Sequence, residues 1–494
     1  MAFQWLDIPP GAYRNGTALQ SAGRWYDQDL VRYANKTVRP MGGWQERLAG
    51  QAVSGAARAA CAWRDNSGGQ WLAIGTHSGL YVQAAGGLVT NITPGGFTSG
   101  IADATVYTGY GSGVYGAYTY GSPRPATGVP VPATVWSLDT FGQYLVGCSD
   151  ADGKIYQWTL NTASVAAVLS NAPTSNQGIF CTTEGFLVAL GAGGDPRLVK
   201  WSDQRSNNVW TPSTTNQAGS LDLQTSGQLM CGRATRDTHI VLSSTDAWSM
   251  TYVGYPLVYG FQRIGQGCGA ISKGALAAID TRAVWMGTDG FWLYDGYVRQ
   301  LPCDVYDFVF SDINPAQVSK VTALHRPDFG EVWWFYPSAA STENNRYVIW
   351  DYKQGIWNFG YSIPRLCGVD KSVFGNPLLV DASGKIYVHE NGFSYGGATP
   401  YVEGGPVTLG AGDRMMEVQA IVPDDKTLGD VTLTLYGRNY PDDPDVTNGP
   451  WPLTSSQVSV MFQARQVRPH FAFVGADDAR LGRVRADLVA GDWQ

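Results

Sequence analysis

Five histidines are spread along the chain, at His77, His239, His325, His389 and His470. A bound metal needs ligands gathered at close spacing, such as two His one helical turn apart or a Cys-x-x-Cys pair. None of the five has such a neighbour, and the HEN run at 389–391 is not followed by a second His. The seven cysteines, at 61, 148, 181, 231, 268, 303 and 367, are odd in number, scattered and unpaired in sequence. Reduced thiols of a chain made in a cytoplasm are expected, not a disulfide framework or a zinc site. No G-x-S-x-G elbow occurs, and Ser, His and Asp fall at separations that select no triad. DADG (150–153) and DDPD (442–445) offer oxygens but lack an EF-hand-type loop closed by Glu. GAGGDPR (191–197) is Gly-rich but lies between two strands, whereas a phosphate cradle needs a helix N-terminus. No catalytic residue, metal or cofactor is assigned, and the chain reads as a non-enzyme.

Glycoside chemistry is the serious enzymatic alternative. It needs two carboxylates at a set separation. SDADGKIYQW (149–158) is close to the Asp-box turn S-x-D-x-G-x-x-W, but its Trp comes late and the box is not repeated. Arginines that could clamp an acidic sugar (Arg197, Arg205, Arg233, Arg282, Arg326) sit at uneven positions in the repeat described next.

These residues are carried by a chain of 494 residues, too long for one core. It is 44% hydrophobic but only 15% charged, with 61 Gly, 18 Trp and 26 Tyr. That profile predicts an all-β protein rich in turns. Net charge is −7, with no Lys/Arg run, so a gripping nucleic-acid surface is not expected, although an acidic wall would let DNA slide past. MAFQWLDIPPG has no basic and apolar leader pattern, and no window approaches the ~18–20 apolar residues of a membrane span, so no membrane anchor is expected.

From about 61 to 395 an apolar strand, a polar turn and an aromatic strand recur, as in YLVGCSDADGKIYQW (144–158) and PLLVDASGKIYVHENG (377–392). The turns THSG, DADG, TDG and DASG are hairpin chemistry. Taking Ile74, Val146, Val188, Val241, Trp285, Trp334 and Val380 as first strands gives spacings of 72, 42, 53, 44, 49 and 46. Units of roughly 45 residues built from hairpins predict a β-propeller of six or seven blades. Trp158, Trp201, Trp210, Trp350 and Trp357 fall near blade ends, where splayed sheets need wide side chains. The long first gap places a Gly/Tyr/Pro-rich insertion at about 94–133, containing GYGSGVYGAYTYG (109–121). Residues 1–60 read as an N-terminal β arm of short strands. Either it touches a neighbouring subunit or adaptor, or it closes the chain's own last sheet. Residues 399–494 alternate apolar and polar with period two, which predicts a β-sandwich-like domain.

Three stretches resemble a known family. GTALQSAGRWYDQDLVRYANKTVRPMGGW (16–44) is similar to a G-R-W-x-D…V-R…R-P…G-G-W string near the start of tailed-bacteriophage virion proteins. GYGSGVYGAYTYG leading to WSLDTFGQYLVG (136–147) resembles their first-blade insertion. KWSDQRSNNVWTP…AGSLDLQTSGQL (200–229) resembles the next blade. The family is the tail nozzle, or tail tubular protein B (packaged-DNA stabilisation protein), of short-tailed phages. The resemblance implies a structural virion protein that forms a homo-oligomeric ring, as a hexamer. The ring would sit in the virion tail below the portal and adaptor, contact a tail fibre or tailspike, and let double-stranded DNA pass without specific binding. The alternatives are a carbohydrate-active or receptor-binding propeller, or a hub or adhesin of another tail type. Candidate subunit or channel contacts are Tyr110, Tyr115, Tyr118 and Tyr120 in the insertion, because Tyr and Gly suit interfaces. In the arm they are Arg24, Trp25, Arg32, Arg39 and Trp44.

Overall fold

Ile74, Val146, Val188, Val241, Trp285, Trp334 and Val380 are all but fully buried, one in each of seven four-stranded antiparallel sheets. They lie on the second strand of each sheet, not the first as the sequence spacing suggested. A second strand is covered on both faces by neighbouring blades and so reads as a continuous apolar run. The true first strands are Ala57–Arg64, Trp136–Phe141, Gly178–Cys181, Leu229–Ala234, Leu276–Ile279, Thr322–Arg326 and Cys367–Val369. Each of these touches the next, and the seventh touches the first, so the ring closes on itself. The blades, numbered 1 to 7, span 57–91, 136–168, 178–222, 229–266, 276–301, 322–360 and 367–389. The computed structural model describes residues 3–106, 130–370, 373–409, 412, 414–424, 427, 429–475 and 478–491.

Inner strands carry small residues, such as Ala59, Ala60, Gly232, Ala323 and Gly368, because seven backbones converge there. Farther out the blades splay and aromatics fill the gaps. Trp158 of blade 2 meets Trp71 of blade 1 edge-on at 5.0 Å, and Trp357 of blade 6 meets Phe291 of blade 5 at 4.6 Å.

The N-terminal strands are β1 (Phe3–Leu6), β2 (Trp25–Asp29), β3 (Val31–Ala34), β4 (Thr37–Pro40) and β5 (Trp44–Glu46). They form no sheet apart from the β3–β4 hairpin, whose two-residue turn has Asn35 and Lys36 at positive φ. β5 pairs with Ile386–His389 and supplies the fourth strand of blade 7. β1 pairs with Val484–Ala490 and β2 with Tyr401–Gly404. Those two strands complete both sheets formed by the C-terminal residues. One sheet runs β1, Val484–Ala490, Met416–Val422, Val458–Ala464. The other runs β2, Tyr401–Gly404, Gln466–Phe473, Val431–Arg438, Val446–Pro452, with Val407–Thr408 also paired to Gln466–Phe473. Strict alternation of burial along Val431–Arg438 marks a sheet with one face in a core. That core joins Trp25, Val31, Tyr33 and Val38 of the arm to Leu433, Phe462, Phe471 and Leu481 near the other end of the chain.

The insertion between blades 1 and 2 is described at its root only. There Thr105–Val106 pairs with Pro130–Val131. Tyr110, Tyr115, Tyr118 and Tyr120 lie outside the described residues.

Candidate functional site

The arm string G-R-W-x-D…V-R…R-P…G-G-W consists of residues that join separate parts of the chain. Arg24 forms an ion pair with Asp304 at 2.9 Å and lies over the Tyr13 ring. Trp25 is buried edge-on to Phe471. Asp27 accepts from Tyr361 Oη at 2.8 Å and pairs with Arg14 at 3.0 Å. Arg39 stands 3.9 Å from Asp478. Trp44 stacks on His389, and the Arg365 guanidinium lies over the Trp44 ring at 5.2 Å. Gly42 and Gly43 pass so close to the 390–394 turn that a side-chain carbon on either would fall 2.6 Å or less from backbone atoms of Glu390 or Ser394.

Arg32 is the centre of the tightest group. Its Nε and Nη2 meet Glu331 Oε1 and Oε2 at 2.5 and 3.1 Å, a bidentate fork. Nη2 also donates to Glu390 Oε1 at 3.0 Å, and Arg326 Nη2 reaches the same oxygen at 2.7 Å. Trp333 Nε1 donates to Glu331 and Gly42 N to Glu390. The Phe329 ring covers the Arg32 guanidinium at 3.6 Å. Burial disfavours the Arg32 charge, but Glu331 and Glu390 outweigh it and hold the guanidinium protonated. Burial likewise opposes the Glu390 carboxylate, yet Arg32 and Arg326 pull its pKa down to about 2. Two acids on blades 6 and 7 thus clamp one arginine of the arm. The sequence reading selected Arg32 but missed Glu331 and Glu390. The available signal was that a charge-poor chain with arginines in apolar strands must bring carboxylates to them.

The second place to look for chemistry is the propeller axis. The cavity there measures about 80 Å³. Its wall carries four cations, Arg58, Arg233, Lys273 and Lys320, with Trp136 as an aromatic. Arg58 and Lys320 both bind Glu343, Lys320 also binds Asp103, and Lys273 binds Asp150 at 3.1 Å. Burial raises the Asp139 carboxyl, against the opposing charge of Arg233. A glycosidase reading predicts carboxylates and aromatics converging here, and the wall is instead lined by cations. The five arginines considered as a clamp do not meet: Arg197 pairs with Asp222 and Arg326 with Glu390, while Arg233 faces the axis.

The insertion root lies near the end of the axis where the inner strands begin, against blade 1 and the lead-in to blade 6. Ala102 O accepts from Arg58 at 2.6 Å, Asp103 pairs with Lys320, and Ala104 exchanges hydrogen bonds of 3.0 and 3.2 Å with Gln317. On the return strand, Ala133 N donates to Ser319 Oγ. The insertion leaves blade 1 and is tied down on the segment that leads into blade 6.

The histidines remain apart. His239 contacts Glu184 at 2.9 Å, His325 contacts Tyr352, and His389 accepts from Arg365 Nε, with burial lowering its pKa well below the ordinary imidazole value. Among the described residues no group of three His, Cys, Asp or Glu could hold a metal ion.

No family model and no curated protein matches the sequence. Solved structures with a similar fold include virginiamycin B lyase from Staphylococcus aureus, at 8% identity and TM-score 0.40, covering 70% of this chain and 98% of that one. The WD40 β-propeller domain of Doa1 is 12% identical, TM-score 0.41, covering 70% and 97%. PorZ, a surface component of the type-IX secretion system of Porphyromonas gingivalis, is 9% identical, TM-score 0.36, covering 76% and 44%. Likeness at this level says nothing about activity.

Proposed function

We propose that the protein is a structural component of a virion, the tail nozzle of a short-tailed phage. In this role it is not an enzyme. It assembles as a ring, a hexamer, that extends the DNA exit channel below the portal and adaptor. The ring retains the packaged genome, guides its ejection, and offers its outer surface to a tail fibre or tailspike.

The observation that carries the reading is the use made of the arm string. The residues that resemble the family (Arg24, Trp25, Asp27, Arg32, Gly42, Gly43, Trp44) tie blade 7, blade 6 and the two C-terminal sheets to one another. A protein that must bear load along a tail needs its two β units held as one piece. In the third resembling stretch the bracing is local to blade 3. Trp201 Nε1 and Asp203 Oδ1 both brace Gln217, and Trp210 is buried in the turn of blade 3. In such a ring DNA would pass between subunits, since the cavity at the propeller's own axis is only ~80 Å³. The net charge of −7 per chain supports release over retention by contact.

Negative-stain imaging of the purified chain and of particles carrying it tests the proposal. Rings with a central lumen, located at the tail, are expected. A monomer that hydrolyses a glycan and has no place in a particle overturns it.

A further inference from the structure

Blade 4 departs from its neighbours in one respect. Its outer two strands, Asp246–Gly254 and Val258–Gln266, are nine residues each, while the second strand His239–Ser243 pairs only as far as Met250. Beyond Met250 the hairpin continues over blade 3, where Val258 and Tyr259 of its return strand are buried, and its tip alone stands clear as a finger. Its tip carries Val253, Tyr255 and Leu257, which are 54, 69 and 74% exposed. No charged residue occurs from Ser249 to Gln262. Turns of other blades, such as THSG, DADG and DASG, carry Asp, Ser and Gly, the ordinary turn residues. The finger is also held close below its tip: Tyr259 packs against Phe186 at 5.2 Å and Trp201 at 5.5 Å, and its hydroxyl meets Thr182 at 2.9 Å. An apolar tip on a braced stem is already in its bound shape, which lowers the entropy lost on docking.

A receiver is present elsewhere on the same chain. Between the β1–β2 connection and the β3–β4 turn lies a cavity of about 490 Å³, larger than the ~120 Å³ space beside Glu390. One wall is Ile8, Pro9 and Pro10; the other is Lys36 and Thr37. It runs into a second cavity floored by Trp25 and Phe471. Prolines beside an apolar floor accept aromatic rings, and the polar rim suits a phenol hydroxyl. The Asp7–Arg483 pair at 3.1 Å neutralises one part of the rim, and Lys36 and Asp424 stand at the rest of it, open to solvent beside the apolar walls.

We propose that the finger of one copy of this chain seats in the Pro9–Lys36 groove of the next copy. Finger and groove are different patches, so the contact is head-to-tail, the kind that closes into a ring when the rotation per subunit allows. The inference rests on the ring reading above and names the contact that would build the ring. A lipid surface is the less favoured partner, because an acidic chain with an uncharged tip lacks the basic residues that add attraction to anionic headgroups.

The test uses the full chain. Tyr255→Ser with Leu257→Ser should leave the circular dichroism and melting of the monomer unchanged and weaken self-association about tenfold or more in analytical ultracentrifugation. A mixture of Leu257→Cys and Thr37→Cys chains should form a disulfide-linked pair under mild oxidation that neither gives alone. Rings of wild-type strength from the doubly substituted chain, with no cross-link in the mixture, overturn the finger contact and leave the ring standing. A wild-type chain that stays monomeric at its highest soluble concentration and forms no ring in particles overturns both. Flotation with neutral or anionic vesicles that depends on Tyr255 and Leu257, without self-association, reassigns the finger to a membrane and overturns the proposal.

Discussion

Glu390 shows how a single side chain couples the arm to the propeller. It receives two guanidinium groups and a backbone N–H while nearly buried. Its folded pKa, about 2, lies below the ordinary carboxylate value of 4.5. A carboxyl with a depressed folded pKa stabilises fully above its unfolded value and loses that contribution as pH falls towards the folded one. Glu390 therefore contributes its full stabilisation at neutral pH, and the contribution disappears between about pH 4.5 and 2. Glu390→Gln leaves Arg326 and one side of Arg32 without their anion, which costs on the order of 3–5 kcal/mol at pH 7. Urea unfolding across pH should show that loss at neutral pH and a shallower fall in stability below pH 4.5. An unchanged acid limb would mean that Glu390 does not carry the linkage. Arg32 was legible in sequence only as part of the arm string that resembles a known family. Its acids were not, because they lie 299 and 358 residues away and nothing local marks them.

At the scale of elements, the arm is where local sequence and tertiary structure differ most. The choice between a neighbour's surface and the chain's own sheets was open from sequence, since a short strand such as LVRY has the same appearance in either setting. In the fold, β1, β2 and β5 each complete a sheet of the same chain. An unpaired edge in any of the three would expose backbone groups and a core face. Deleting residues 1–30 removes β1 and β2, and should yield aggregated or unfolded chain, not a folded monomer that has merely lost assembly. Limited proteolysis and light scattering of the truncated chain would distinguish these. A folded, protease-resistant product would show that the C-terminal sheets stand without the arm. The blade elements were legible in a different way. Their second strands announced themselves because burial on two faces demands continuous apolar residues. The first strands were overlooked because convergence at the axis demands small ones.

For the whole molecule, the arrangement puts the insertion root at one end of the propeller axis and the C-terminal sheets against blade 6. Contacts such as Tyr361 Oη to Asp27 Oδ1 of β2 at 2.8 Å fix the latter. In a nozzle, the Tyr110, Tyr115, Tyr118 and Tyr120 segment would pack against its copies around the lumen. Replacing all four with Ser should leave the melting temperature unchanged while particles lose DNA or fail to eject it. DNA retention after mild heating, together with plaque counts, measures both. Full infectivity would remove the segment from any sealing role.

Sequence alone determined the class of architecture. Period-two alternation, Asp/Gly turns and a recurrence of roughly 45 residues permit few folds other than hairpin blades and a second β unit. It also located the insertion at about 94–133, read as part of the first blade because the spacing there is too long, whereas the sheets place it between blades 1 and 2. Those are properties of neighbouring residues, and local sterics and burial write them directly into the order of side chains. Only the tertiary structure decided the number of blades, seven, because closure depends on whether the last inner strand meets the first. It alone assigned the arm to three different sheets and paired Arg32 with Glu331 and Glu390. Such contacts join residues hundreds of positions apart. Their partners are chosen by shape and charge once the sheets have formed, and no periodicity in the chain records that choice.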